Sequence, residues 1–249
     1  MDHNQRQREY HNSVFSKGSR SVSDVVTRYI VSWRVEESLK RLVHISKNRV
    51  NEESSILVLC SGEGMEGSIL CDMGFKDVTV SDLAEQGVQA ALQRDERLKA
   101  LVLNAEHTDL ASNSFDVVLV QDGLHHLQSP VQGFTEMLRV AKIGVVFLEG
   151  HDTLVCHAIG TVWEKNGSAI NYVFRWNKRL VEQVASSYLG PDSFDNHSFT
   201  FWHHNMVYAK ISKVLGSSFG LSVINIIKLF LDKTLGKFGN QFCGLVLKK

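Results

Sequence analysis

The sequence has no feature typical of a disulfide scaffold, a nucleic-acid-binding protein or a membrane-spanning protein. Its four cysteines are scattered without a Cys-x-x-Cys pair, so we expect reduced thiols in a cytoplasmic protein. Lysine and arginine together number 27, and aspartate and glutamate also number 27. This balance argues against a nucleic-acid partner, because binding to nucleic acid usually requires a basic surface.

Long apolar runs are also missing. The longest apolar-rich stretch, residues 221–231, contains Asn225 and Lys228 and is too short and too polar to span a membrane. The first 20 residues contain no apolar segment of the kind found in a secretory signal. We therefore expect no membrane partner. A homodimer is one arrangement that would bury the apolar face of a helix over 221–231.

Residues 1–20 carry few apolar side chains, and we interpret them as a flexible tail. Tyr10 and Phe15 keep a second interpretation open, in which this segment is a lid that orders over a bound ligand. Residues 21–24 are suited to cap a following helix. We expect the Arg34 side chain to lie on a solvated helix face.

Short apolar runs alternate with amphipathic segments along the rest of the chain, and 43% of the residues are hydrophobic. We predict strands over 56–59, 78–81, 101–103, 115–120, 144–149, 198–202 and 242–247. We predict helices over 25–30, 35–46, up to 73, and over 83–98, 130–140, 178–189, 206–215 and 221–235. Residues 151–167 fit either a helix or a loop. Strands alternating with helices predict a parallel sheet with helices on both faces.

The most informative stretch is the apolar run 56–59, which leads directly into a turn with Gly62, Gly64 and Gly67. Glycines permit a tight turn and let a ligand approach the backbone closely. Asp82 lies 20 residues past Gly62, at the end of the next apolar run, where a carboxylate can accept hydrogen bonds from ribose hydroxyls. The pattern predicts a nucleoside-binding half. Because it also satisfies G-x-G-x-x-G, a nicotinamide cofactor stays open at this point.

Further segments resemble the class I S-adenosylmethionine-dependent methyltransferases, in particular their small-molecule (type 11-like) group. The matching segments are residues 57–64, Asp82, residues 104–106, 114–118, 124–127 and 139–140, which include Leu-His-His after the fourth predicted strand. The resemblance covers about residues 50–150. It implies an α/β, Rossmann-like, doubly wound sheet of seven strands, six parallel and the last antiparallel, with helices on both faces.

The resemblance also implies a domain plan. After the tail over 1–20, residues 21–249 would form a single methyltransferase domain. Residues 50–150 would be its cofactor-binding core. Residues 151–240 would supply the substrate side, including a helical insertion over about 205–240.

S-adenosylmethionine is the cofactor that the resemblance implies, and nine residues would contact it. They follow the first four predicted strands: Cys60, Gly62, Gly64, Asp82, Leu83, Asn104, Ala105, Glu106 and Gln121. Asp82 would hold the ribose hydroxyls, Leu83 would pack on the adenine, and Ala105 would offer its backbone N–H to the adenine ring. Asp82 also suits a helix cap, and Asn104 and Glu106 also suit an ordinary polar loop.

Three residues depart from the family pattern, which usually has Asp at Val58 and Gly at Cys60, and often Asp at Asn104. Val58 removes a carboxylate that organises the turn, and Cys60 adds a side chain close to the ligand. These departures motivate an alternative in which the chain is a catalytically inactive binding or partner protein that kept the fold.

Methyl transfer is an in-line displacement at a sulfonium methyl, so positioning of the acceptor dominates the chemistry. A hydroxyl or protonated amine acceptor also needs a base, and histidine suits that role at neutral pH. His125 and His126 stand where the substrate pocket should begin, and we favour His126 as the base. The alternative is that both histidines are structural.

Aromatic and histidine residues are concentrated after residue 150, and we assign Trp176, Trp202 and His203 to the acceptor pocket. Core packing is the alternative role for each aromatic ring. His151, Asp152 and His157 do not have the spacing of a metal site, and we expect no metal.

The sequence thus predicts an enzyme that transfers a methyl group from S-adenosylmethionine to oxygen or nitrogen of a small-molecule metabolite. The hypothesis of a nicotinamide-dependent oxidoreductase is weaker, because it does not account for the Leu-His-His segment. A nucleic-acid or protein methyltransferase is weaker still, because residues 120–123 are Val-Gln-Asp-Gly rather than Asn/Asp-Pro-Pro-Tyr/Phe.

Overall fold

Helices and strands alternate along residues 2–16 and 25–249, which the computed structural model describes. The strands are β1 (Ser55–Leu59), β2 (Asp77–Asp82), β3 (Lys99–Val102), β4 (Phe115–Gln121), β5 (Ala141–Gly150), β6 (Trp163–Asn166), β7 (Ala169–Tyr172), β8 (Phe194–Phe201) and β9 (Gln241–Lys248). The helices are α1 (His3–Phe15), α2 (Val25–Ile45), α3 (Met65–Asp72), α4 (Glu85–Arg94), α5 (Pro130–Val140), α6 (Leu154–Ile159), α7 (Lys178–Leu189), α8 (Asn205–Leu215) and α9 (Ser217–Leu235).

Seven strands form one sheet in the order β3-β2-β1-β4-β5-β9-β8. Neighbouring strands from β3 to β5 pair in parallel, whereas β9 runs antiparallel to both β5 and β8. The prediction of six parallel strands and an antiparallel last strand is therefore confirmed. The carboxyl ends of β1, β2, β4 and β5 meet at one edge, where open α/β sheets bind their ligands.

The strands are buried on both faces, which explains why they read as continuous apolar runs. On β1, Leu57 and Val58 point to opposite faces and are both fully buried. Val58 belongs to a core that α2 covers with Leu39, and Leu57 belongs to a core that α5 covers with Phe134.

One helix replaces two predicted ones near the N-terminus. The predicted helices over 25–30 and 35–46 are a single helix, α2, and the predicted cap over 21–24 lies outside the described residues. No proline or glycine interrupts residues 31–34. The Arg34 side chain is buried, contrary to our expectation of a solvated face, because Asp122 pairs with its guanidinium group.

Residues 3–15 form helix α1, within the segment 1–20 that the sequence predicted to be a flexible tail. Contacts distant in sequence hold the helix. The buried Gln7 amide donates to Asn171 Oδ1 at 2.7 Å, and the Gln86 backbone N–H donates to Asn12 Oδ1 at 3.1 Å. The Phe15 ring lies 3.1 Å from the position that a Cβ on Gly62 would occupy. The alternative interpretation, a segment lying over a binding site, fits this position.

The region left open between helix and loop contains α6 and a hairpin of β6 and β7. Gly167 and Ser168 form the two-residue turn, with Gly167 at φ +61°. A Gly-Ser pair between two short strands is a hairpin signal that the sequence analysis missed. The inward side chains of the hairpin include the buried Asn166 and Asn171, whereas Trp163 and Tyr172 are exposed.

Two helices, α8 and α9, stand between β8 and β9, where the sequence predicted a helical insertion. A Cβ on Gly220 would lie 2.9 Å from the Ser212 Cα, so α8 and α9 pack closely against each other. None of the described helices is long and apolar enough to cross a membrane.

Candidate active site

A cavity opens at the carboxyl edge of the sheet, between α1 and the loops that follow β1, β2 and β4. Its lining residues are Asn4, Gln7, His11, Val14, Phe15, Cys60, Ser61, Gly62, Asp82, Leu83, Ala84, Asp122, His126 and Leu127. Cys60, Gly62, Asp82, Leu83 and His126 are among the predicted site residues. The structure therefore brings together residues from three strand ends that are far apart in sequence.

The glycine loop has the backbone that its sequence requires. Gly62 and Gly64 adopt φ +53° and +75°, in the left-handed region that favours glycine. A Cβ on Gly64 would lie 2.7 Å from Ala91 Cβ, and a Cβ on Gly67 would lie 2.4 Å from Val80 Cγ1. The glycines thus allow both the turn and the close packing of α3 on β2 and α4.

The Asp82 carboxylate joins two loops. One oxygen accepts from the Gly62 backbone N–H and the other from the Ala84 backbone N–H, both at 2.8 Å. Burial raises the pKa of Asp82, and these two N–H groups oppose the shift. Because each carboxylate oxygen can accept two hydrogen bonds, Asp82 keeps acceptor capacity toward the cavity. The helix-cap role and a ligand role are therefore compatible.

The loop after β3 does not line this cavity among the described residues. Asn104 Oδ1 accepts from the Glu106 backbone N–H at 3.0 Å. The buried Glu106 carboxylate accepts from the Ser129 backbone N–H at 2.5 Å, and Ala105 packs in the core beside α5. These contacts tie the loop to the start of α5, and contact with the adenine stays a prediction.

Gln121, at the end of β4, points toward the first turn of α3 instead of lining the cavity. Its amide donates to the Glu66 carboxylate at 3.3 Å. Burial raises the pKa of Glu66 to about 7. Glu66 is a titratable group of this edge that sequence reasoning missed.

An ion pair between the buried Arg34 and the partly exposed Asp122 supports the loop after β4. Arg34 donates to both carboxylate oxygens of Asp122, at 2.5 and 2.9 Å, and to Gln241 at 3.1 Å. Burial alone would raise the pKa of Asp122, but Arg34 holds it at about 2. Asp122 therefore presents a fixed negative charge at the cavity wall, and no motif in the sequence pairs it with Arg34.

His125 is held between two carboxylates. The fully buried Glu149, on β5, accepts from the backbone N–H groups of Gly123 and Leu124 and lies 2.7 Å from His125 Nδ1. Glu164, on β6, lies 3.4 Å from His125 Nε2. Burial lowers the pKa of His125, but the two carboxylates raise it to about 10. An imidazolium has no free lone pair, so His125 in this arrangement is not a general base.

His126 has the opposite electrostatics. Its Nδ1 accepts from the side-chain amides of Asn166 and Asn171, each at 3.2 Å. Burial and the neighbouring His125 lower the pKa of His126 to about 3. A neutral imidazole that accepts at Nδ1 carries its proton on Nε2. His126 is therefore a neutral ring that offers an N–H, and the hairpin that fixes this tautomer was not predicted.

Glu164 completes a cluster with the two histidines. Among the described residues, His125, His126 and Glu164 each place one nitrogen or oxygen atom within 4.8 Å of the others. The Nδ1 atom of His125 already donates to Glu149, and the Nδ1 atom of His126 already accepts from the two asparagines. His151 and His157, which the sequence did not predict to be a metal site, make other contacts: His151 Nδ1 donates to the Gly239 carbonyl oxygen at 2.7 Å, and His157 Nε2 lies 2.6 Å from Asp152. The expectation of no metal stays a prediction.

Trp176 does not belong to an acceptor pocket. Its side chain is fully buried and packs edge-on against Phe134, Phe147 and Phe174. The ring lies in the core between α5 and the sheet, which corrects the assignment from sequence. Apolar packing of a large aromatic ring explains its position without a ligand.

Trp202 and His203 line a second cavity, between α6, α8, α9 and the adjoining ends of β5 and β9. This cavity shares no lining residue with the first. Arg34 connects them, since it bonds to Asp122 of the first cavity and Gln241 of the second. Contact of Trp202 and His203 with an acceptor stays a prediction.

Known proteins show the same architecture. Residues 57–148 match the family model described as "Methyltransferase domain". The comparison with curated proteins gave no match. Magnesium protoporphyrin IX methyltransferase from Synechocystis PCC 6803 with bound S-adenosylmethionine aligns at a TM-score of 0.60 and 14% identity, covering 100% of this chain and 98% of that chain. The same enzyme with S-adenosylhomocysteine aligns at 0.60 and 15%, covering 100% of both chains.

A second solved structure is phosphoethanolamine N-methyltransferase 2 from Haemonchus contortus, in complex with phosphomonomethylethanolamine and S-adenosylhomocysteine. It aligns at a TM-score of 0.54 and 17% identity, covering 87% of this chain and 52% of that chain. At such low identities, the structural likeness shows the fold alone. The family match and this fold agree with the resemblance that the glycine loop, Asp82 and Leu-His-His indicated.

Proposed function

We propose that this chain, which has the class I methyltransferase fold and a methyltransferase domain at its centre, binds S-adenosylmethionine and methylates a small molecule on oxygen or nitrogen. The observation that carries the proposal is the position of Asp82. Its carboxylate joins the glycine loop to the loop after β2, inside a cavity at the ligand-binding edge of the sheet.

The ribose of the cofactor would lie on Asp82, whose remaining lone pairs suit two hydroxyl donors. Leu83 would contact the adenine. Cys60 and the ionised Asp122 would face the methionine part. When bound, the cofactor would supply an electrophilic methyl group on a positively charged sulfur, beside an Arg34–Asp122 pair that is neutral as a whole.

Two departures from the family pattern are accommodated by neighbouring residues. Val58 is fully buried in the core beneath α2, so an apolar residue fits where relatives carry a carboxylate. Cys60 adopts φ +53°. A Cβ on Gly123 would lie 2.5 Å from Cys60 Cβ, so Gly123 makes room for the thiol-bearing side chain. Both residues therefore fit the fold, although Cys60 stands in a left-handed conformation that favours glycine.

The histidine pair would position the acceptor. His126 lines the cavity and can donate a hydrogen bond from Nε2 to an acceptor oxygen or nitrogen. Glu149 and Glu164 hold the His125 imidazolium beside it. Holding the acceptor lone pair in line with the methyl group lowers the entropic part of the barrier. The proton that the acceptor loses would pass to solvent by way of the ionised Glu164, which lies beside both histidines.

Small molecules of different chemistry occur among proteins of this fold. The Synechocystis enzyme is named for a porphyrin, and the Haemonchus structure holds a phosphorylated amine. The balanced charge of this chain favours a small acceptor over nucleic acid, but the acceptor's identity does not transfer from these proteins.

The test is calorimetric titration of S-adenosylhomocysteine into the wild-type protein and the Asp82→Ala variant. We expect micromolar binding by the wild type and a loss of about 100-fold in the variant, about 2.7 kcal/mol, because the carboxylate holds both the ligand and the glycine loop. Asp77→Ala is the matched control, since Asp77 is an aspartate at the other end of β2.

The control variant should bind like the wild type. A folded wild-type protein that does not bind S-adenosylhomocysteine, or an Asp82→Ala variant that binds it normally, would contradict the proposal. Titration with NADH in the same cell tests the nicotinamide alternative, which predicts the reverse preference.

A catalytically inactive binding protein is the second candidate. The observation that favours it is the Phe15 ring, which lies against Gly62 and Gly87 where a cofactor would approach the loop. Methyl transfer from labelled S-adenosylmethionine to a panel of amines, phenols and carboxylates separates the two. Cofactor binding without turnover on any acceptor favours the inactive protein.

A further inference from the structure

Helix α9 is apolar on two opposite faces. Ile224 is fully buried against Ile30 of α2 and Tyr208 of α8. On the opposite side, Phe219, Ile226 and Phe230 are spaced seven and four residues apart and are each more than 60% exposed. Helical geometry places these three side chains on one stripe, which we call the outer face of α9.

The inner face of α9 already packs against the rest of the protein, so the outer face is not needed to hold the helix in place. Tyr29 of α2 bonds to Asn225, and the Lys228 ammonium lies over the Trp33 ring and pairs with Asp232 at 2.5 Å. These contacts orient α9 and leave the outer face toward solvent. Apolar side chains of this size in one exposed stripe indicate an interaction surface.

The charge of this segment differs from that of the rest of the chain. Residues 205–238 contain five lysines and one aspartate, a net charge of +4, so the rest of this neutral chain carries −4. The one aspartate pairs with Lys228. The other four lysines are Lys210, Lys213, Lys233 and Lys237, all exposed. Exposed apolar groups beside cations suit an anionic, partly apolar surface.

We propose that α8 and α9 dock on an anionic lipid membrane, with the outer face of α9 inserted among the acyl chains and the four lysines at the headgroups. The docking is peripheral. An amphipathic segment with phenylalanine and leucine on one side and lysine beside them lies in the membrane interface in this way. This inference differs from the sequence-based expectation of no membrane partner, and it does not depend on the proposed methyl transfer.

Docking would also place the second cavity near the lipid. Val207 and Ile227 are exposed on α8 and α9, and both line that cavity. A molecule dissolved in the membrane would therefore reach Trp202 and His203 from the docked side without crossing the bulk solvent.

The experiment is co-sedimentation of the full chain with vesicles of phosphatidylcholine containing about one third phosphatidylserine, and with vesicles of phosphatidylcholine alone. We expect the anionic vesicles to bind at least about tenfold more protein at about 0.1 M salt, and about 0.5 M salt to reduce that binding strongly. The triple variant F219S/I226S/F230S should bind about tenfold or more weakly, because it loses most of the inserted apolar area.

The matched control is L92S/L101S/V102S, which removes three exposed apolar side chains at the opposite end of the sheet and should bind like the wild type. The quadruple variant K210Q/K213Q/K233Q/K237Q tests the contribution of the four lysine charges to membrane binding. It should lose the preference for phosphatidylserine. Circular dichroism and S-adenosylhomocysteine titration of each variant show that the fold and the cofactor site are unchanged, so a failure here is distinguishable from a failure of the proposed function.

Three results would overturn the inference. The first is a wild type that does not sediment with the anionic vesicles. The second is a triple variant that binds them as the wild type does. The third is a wild-type dimer in sedimentation equilibrium that the triple variant abolishes, which would assign the outer face of α9 to a second copy of the chain.

Discussion

Residues 50–150, which the sequence assigned to the cofactor half, and residues 151–240, which it assigned to the substrate half, hold their polar groups in different ways. In the cofactor half, Asp82 accepts from backbone N–H groups of two loops that meet at adjacent strand ends. In the substrate half, Glu164 and Asn171 reach histidines of the loop after β4, and Asn171 also reaches Gln7 of α1. The first half is organised by the sheet, and the second by contacts between elements distant in sequence.

This difference indicates how each half responds to change. Loops tied to parallel strands tolerate changes elsewhere, because the sheet fixes their position. The hairpin and α1 are held by a small number of side-chain contacts, so one substitution can weaken their packing on the rest of the protein. The three predictions below test this contrast in order of decreasing effect.

The largest effect is expected for Trp176→Ala, which removes a fully buried ring from the packed aromatic cluster. We expect a loss of about 3–5 kcal/mol in the free energy of unfolding, measured by urea denaturation. Trp202→Ala is the control, because Trp202 is only partly buried, and it should lose about 1 kcal/mol or less. If the Trp176→Ala variant kept its stability and lost only turnover, the result would support the original assignment of Trp176 to the acceptor pocket.

The His125 cluster predicts a dependence of stability on pH. The carboxylates of Glu149 and Glu164 raise the pKa of His125 from 6.5 to about 10 in the folded protein. The protonated ring therefore stabilises the fold fully below pH 6.5, and this contribution is lost as the pH rises through about 10. The expected size is on the order of 2–4 kcal/mol.

Urea unfolding of the wild type and His125→Asn at pH 6.5, 8 and 9.5 measures this contribution. The stability difference between the two proteins should shrink as the pH rises. His107→Asn, which changes an exposed histidine, should show no such trend. A difference that stays constant over this range would refute the charged state of His125.

The smallest effect concerns the docking of α1. Gln7→Ala removes a buried hydrogen bond to Asn171 and leaves the Asn171 oxygen without its donor. We expect α1 to separate from the hairpin about five- to tenfold more often, which corresponds to about 1–1.4 kcal/mol. The measurement is the initial rate of tryptic cleavage after Arg8. Gln5→Ala, on the exposed side of the same helix, should cleave like the wild type.

Much of the cofactor half was predictable, because its signals are local. The run from Leu57 to Leu59 had to be a buried strand, and the glycines after it had to form a turn. The spacing to Asp82 predicted that this carboxylate would meet that turn, and the backbone N–H of Gly62 bonds to it. The family resemblance, and the antiparallel last strand that it implied, were also confirmed.

The errors in the substrate half also have physical causes. Trp176 and Trp202 look alike in sequence, since an aromatic residue suits both a core and a pocket. Arg34 appeared to be a surface cation until the fold brought Asp122 against it. The Gly167-Ser168 turn was readable from the sequence. The contacts of Asn166 and Asn171 with His126 were not, because they exist only where the hairpin packs over the loop after β4.

The sequence by itself determined the strand-turn-helix pattern, the spacing of Asp82 from the glycine turn and the helical insertion, because backbone sterics and apolar periodicity act between residues close in the chain. The antiparallel last strand was implied by the family resemblance. Only the tertiary structure decided the protonation of His125 and His126 and the docking of α1. Charge and burial depend on distances between residues that the sequence separates by tens to more than a hundred positions, such as Gln7 and Asn171. Those distances exist only once the layers have packed together.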